Sequence, residues 1–138
     1  MNPKGKKPLL TVPEEWVSHA ESDIVIARLG DGKPGVLPQQ ICFHAQQAAE
    51  KALKAVLLFH KIDFAWTHDI TELTDIFEEA GIILPEYFQD AGDLTPYAVE
   101  SRYPGYWGTI DEEDVREAIE LAEKIVKWAR ESITARLG

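Results

Sequence analysis

Residues 38–61 read PQQICFHAQQAAEKALKAVLLFHK. At about 100° per residue, Ile41, Ala45, Ala48, Ala52, Ala55, Val56 and Phe59 share one face of a helix. Cys42, Ala49 and Leu53 widen that face, so the apolar arc is too broad for a single neighbour. It predicts a helix packed against more than one other, and its many alanines let those partners approach closely. This is the central helix of an all-α fold. No part of the chain sustains the period-two alternation of a strand.

Upstream, residues 1–12, with Asn2, Pro3, Gly5 and three lysines ahead of any periodicity, read as a flexible tail, with residues 13–138 forming the helical domain. Pro13 suits a first helical turn, Glu14 and Glu15 suit its positive end, and Trp16, Val17, Ala20, Ile24 and Ala27 give the apolar stripe. The glycines and proline of residues 30–35 end that helix. Downstream, Asp69 and Glu72 have capping-box spacing for a third helix that buries Ile70, Leu73, Ile76 and Phe77 and stops at Gly81. Residues 85–102 predict a broken segment, interrupted at Gly92-Asp93 and restarted by Thr95 as N-cap with Pro96 behind it. Its expected buried residues are Tyr87, Phe88, Leu94, Tyr97 and Ala98. After the aromatic loop Arg102–Gly108, Asp111 caps a last helix whose stripe is Val115, Ala118, Ile119, Ala122, Val126, Ala129 and Ile133. Glu120–Lys124, Glu123–Lys127 and Arg116–Glu120 are spaced as i,i+4 pairs on its outer side. The expected architecture is an up-and-down four-helix-type bundle with a short additional helix.

The totals agree with this reading. A chain of 138 residues, 45% hydrophobic and 28% charged, has ordinary globular composition and needs no staples. The lone Cys42 allows no intrachain disulfide and falls among apolar residues, where it reads as a small packed hydrophobe. No stretch approaches the roughly 18 apolar residues of a membrane span, and no secretory leader follows Lys4, Lys6 and Lys7. A cytoplasmic protein is expected. The net charge of −10 repels phosphate backbones at long range, which argues against non-specific nucleic-acid binding but leaves room for a local basic pocket.

The central helix carries one unusual stripe. Gln40, His44, Gln47, Lys51 and Lys54 fall within an arc of about 80°. Two lysines, an imidazole and two amides on one face could receive a phosphate, or could simply be the wet side of an amphipathic helix. Glu50, positioned to pair with Lys54, favours the second reading. His19, His44, His60 and His68 form no HExxH motif and one cysteine builds no zinc site, so no metal and no cofactor is expected. Walker and GxSxG motifs are absent. In the aromatic loop, Arg102 could hold a phosphate while Tyr103, Tyr106 and Trp107 stack on a base, or the aromatics could plug the end of the bundle.

The run Phe43–Ala55 (FHAQQAAEKALKA), together with His68-Asp69-Ile70, Leu73 and Ser101-Arg102-Tyr103-Pro104, resembles the HEPN family of helical domains. Ala20-Glu21-Ser22-Asp23 and the closing helix around Ala122 and Trp128 also fit, so the resemblance spans roughly residues 15–133. It implies a helical bundle that tends to dimerise, binds nucleotide or RNA, and acts beside a small nucleotidyltransferase in a toxin–antitoxin-like pair. Many HEPN proteins are metal-independent ribonucleases that use an arginine followed four to six residues later by a histidine. Arg102 looks like that arginine, but Tyr106, Trp107 and Gly108 stand at the histidine offsets. The sequence therefore predicts a non-catalytic homodimeric module. His44, Gln47, Lys51, Lys54, His68, Arg102, Tyr103 and Tyr106 are its expected binding residues. An endoribonuclease lacking the usual histidine and a purely structural dimer are the alternatives.

Overall fold

The computed structural model describes residues 12–64, 66–98 and 110–134. The described chain is all-helical: α1 (Pro13–Gly30), α2 (Pro38–Phe59), α3 (Ile70–Glu79), a 3-10 helix (Glu86–Ala98) and α4 (Glu112–Thr134). Pro13 and Pro38 open α1 and α2 in the first turn, where the missing N–H is no loss. α2 packs most extensively against α1 and then α4, as its wide apolar arc requires. Ala45, Ala48, Ala49, Ala52 and Ala55 are all fully buried, and these small side chains let α1 lie close enough for polar groups on the two helices to bond directly.

Three local expectations are altered by tertiary contacts. Residues 86–98 form one continuous 3-10 helix with Pro96 inside it, not two pieces. Gly92 is no break: a Cβ there would lie 2.4 Å from Thr71 Oγ1, so the glycine permits the close crossing of this helix over α3. Thr95 does not start a new helix. Its hydroxyl accepts the Ile70 backbone N–H at 3.0 Å and so helps cap α3, together with Asp69, which accepts from Thr71 N–H at 2.9 Å. The outer charges of α4 also reach further than their i,i+4 neighbours. Arg130 makes a bidentate pair with Glu21 and Arg28 pairs with Glu123, while Arg116 bonds Glu113. The order of the first two pairs makes α1 and α4 antiparallel. At the start of α4, Asp111 and Asp114 cap each other's backbone N–H at 2.8 and 3.0 Å, as the sequence suggests.

Cys42 is fully buried, and burial pushes its thiol up to about 12, partly offset by a hydrogen bond with Tyr97. It is a core residue with a suppressed thiolate. No helix among the described residues is long and apolar enough to cross a membrane.

One backbone feature positions the site. Lys61, just past the end of α2, has φ 58°, a left-handed conformation usually given to glycine or asparagine. Ile62 N–H bonds back to Leu57 C=O at 2.9 Å and closes the turn. The chain then returns along α2, which brings residues 66–69 beside the polar side of that helix.

Candidate functional site

The polar side of α2 is organised by two buried carboxylates, each holding one histidine and one lysine. Asp23, on α1, is 6% exposed. It sits on the buried register of that helix with Trp16, Ala20 and Ala27. Its Oδ1 lies 3.0 Å from His44 Nδ1 and its Oδ2 accepts from Lys51 Nζ at 2.7 Å. Glu50, on α2, is 4% exposed. Its carboxylate lies 3.0 and 3.1 Å from His68 Nδ1, accepts from Lys54 Nζ at 2.9 Å and accepts from Gln46 Nε2 at 3.0 Å.

Gln46 stitches the second centre together. Its amide also donates to the His68 carbonyl at 3.2 Å, and its Oε1 accepts from Gln47 Nε2 at 2.7 Å. Burial alone would raise the Glu50 pKa. The hydrogen bonds from Gln46, Lys54 and His68, with the Lys54 charge, outweigh that and hold it below its ordinary value.

The geometry constrains what each imidazole does. A carboxylate only accepts, so the Nδ1 that faces it carries the hydrogen and Nε2 is the edge left for other chemistry. His68 exposes 52% of its side chain and His44 29%. Each centre pairs one carboxylate with one ammonium, so the lysine charge offsets the carboxylate's and the imidazole edge faces no uncompensated negative charge. The ridge can therefore receive an anion, or hold and move a proton at either Nε2.

The expected binding residues separate into three sets. His44, Lys51 and His68 stand partly exposed on this ridge, and Gln47 is half-buried beside them. Lys54 is not on the solvent side with Lys51: it is 1% exposed, paired to Glu50, with the Trp66 ring centroid 4.8 Å from Nζ and Trp16 and Phe64 each at 5.8 Å. The helical wheel puts it at the edge of the stripe, and the returning segment after Lys61 covers that edge. Arg102, Tyr103 and Tyr106 lie outside the described residues.

Sequence reasoning missed Asp23, Gln46 and Trp66. Asp23 had a readable signal, an acid at an apolar register position, which demands a buried partner. Among the described residues no group of three or more His, Cys, Asp or Glu side chains is arranged to hold a metal ion.

The family description "HEPN domain" matches residues 13–132, nearly the whole described chain. The chain belongs to the HEPN family. Two solved structures share the HEPN bundle seen here. TT1696 from Thermus thermophilus superposes with a TM-score of 0.70 at 28% identity, covering 87% of this chain and 97% of its own. ST0689, an archaeal HEPN homologue, gives a TM-score of 0.67 at 28% identity, covering 88% of this chain and 98% of its own. No functionally curated protein matches the sequence.

Proposed function

We propose that this HEPN domain is a non-catalytic module that binds the phosphate of a nucleotide or polynucleotide along α2. It would act as a homodimer beside a minimal nucleotidyltransferase in a toxin–antitoxin-like pair. The observation that supports the binding reading is the pair of imidazoles held by Nδ1 on buried carboxylates, with Lys51 on the same ridge. Lys51 and the two Nε2 edges contact the phosphate, Gln47 adds an amide, and Arg102, Tyr103 and Tyr106 complete the receptor from the aromatic loop. Lys54 serves at one remove, by holding Glu50 and through it His68.

Isothermal titration with mononucleotides and short RNA tests this. Lys51→Ala removes one charge-assisted hydrogen bond to the ligand, worth about 1.5–3 kcal/mol, and is expected to weaken binding roughly tenfold or more; because it also takes the ammonium from buried Asp23, it lowers stability too, and binding is measured well below the variant's melting temperature. Absence of binding to the wild type, with no nucleotidyltransferase recovered by pull-down from the native cell, would sink the reading.

A second reading is favoured by the same two imidazoles. Histidines oriented by carboxylates are suited to general acid and base roles, so a metal-independent endoribonuclease without the usual Arg-x4-6-His histidine fits the ridge as well. Cleavage of RNA by the wild type that disappears in His68→Ala and in Arg102→Ala would replace the non-catalytic reading with this one.

A further inference from the structure

Trp66 is 73% exposed, although an indole of its size ordinarily covers apolar surface. It is not loosely placed. Its ring centroid lies 4.8 Å from Lys54 Nζ, so one side of the indole is engaged by a buried cation that Glu50 fixes in turn. The residues after it are anchored to α2. The left-handed turn at Lys61 starts the segment, and Gln46 and Glu50 hold the backbone and side chain of His68 at its far end.

Trp66 stands two residues before His68, which limits their Cα separation to about 7 Å. The fold thus holds a large, flat, solvent-facing ring next to one of the two imidazoles assigned to phosphate. An indole with one face on a buried cation presents its other face as a stacking surface.

We infer that Trp66 stacks on the base of a nucleotide whose phosphate lies at His68 and Lys51, which makes the ligand a nucleotide rather than a simple phosphate ester. This rests on the phosphate-binding reading above and adds to it the part of the ligand that gives selectivity. The Lys54 ammonium beneath the ring withdraws electron density from it and favours stacking with an electron-rich base on the open face.

Titration calorimetry with AMP and with ribose 5-phosphate separates the two layers of the claim. Wild-type protein is expected to bind AMP about 5- to 150-fold more tightly than ribose 5-phosphate, the range of one base–aromatic stack. Trp66→Leu keeps an apolar cover over Lys54 but offers no flat π surface. It is expected to bring AMP down to the level of ribose 5-phosphate without changing the latter, and Trp66→Phe restores most of the preference. Equal binding of the two ligands by the wild type, or equal weakening of both by Trp66→Leu, overturns the stacking role and leaves the phosphate reading standing. Binding of neither ligand overturns both.

Discussion

Glu50→Ala is expected to lower the unfolding free energy by about 3–5 kcal/mol in urea denaturation, the penalty for leaving a buried ion without its partner. The Lys54 ammonium is 1% exposed and donates to Glu50. The surrounding rings of Trp16, Phe64 and Trp66 attract a cation but offer no carboxylate to pair with it. The same change removes the acceptor of Gln46 and the anchor of His68. Replacing both members of the pair, Glu50→Leu with Lys54→Met, removes the orphaned charge and is expected to recover most of the loss. A double-mutant cycle over the two positions measures the coupling. If the single and double variants are equally destabilised, burial of the pair is not what the protein depends on.

Acid dependence follows from the same residue. The folded-state pKa of Glu50 is depressed, so its stabilising contribution is present above the unfolded value near 4.5 and is lost as pH falls through the folded value. The stability difference between wild type and Glu50→Gln should accordingly shrink as the pH falls below the unfolded value and through the depressed folded one.

Phe77→Ala is the other large effect, expected at about 3–5 kcal/mol for an aromatic side chain deleted from the core. Phe77 is fully buried on α3 and meets Trp128 of α4 edge-on at 5.6 Å, while Phe88 of the 3-10 helix meets the same indole at 4.9 Å. α3 is only ten residues long and buries just Ile70, Leu73 and Phe77, so one deletion removes a large share of its attachment. The expected result has a local part as well. Hydrogen exchange should accelerate in residues 66–79 before the rest of the bundle, because His68 and Asp69 lead directly into α3. Uniform acceleration across α1, α2 and α4 would show that α3 has no separable stability.

The elements were legible where a single helix face decides them. The stripe of α2 named its buried alanines, and Asp111 named the start of α4. Residues 85–98 were misread because Gly92 and Thr95 act on a neighbour: the glycine makes room for Thr71 and the threonine caps α3, neither of which leaves a mark in local sequence. The site divides along the same line. His44 and Lys51 were placed together by helical periodicity. That both bond to Asp23 depends on how closely α1 approaches α2, and that Lys54 is enclosed depends on a turn at Lys61 with no glycine to announce it.

Everything functional here requires that the outward edges of His44 and His68 meet the same ligand. The direct measurement is a side-chain imidazole nitrogen NMR spectrum recorded while AMP is added. Saturable, parallel shifts of the His44 and His68 Nε2 resonances are predicted, with His60, about 15 Å along the helical axis from Glu50, left in place. Movement of only one of the two histidines, or of neither while nucleotide still binds, would place the ligand elsewhere and contradict the account.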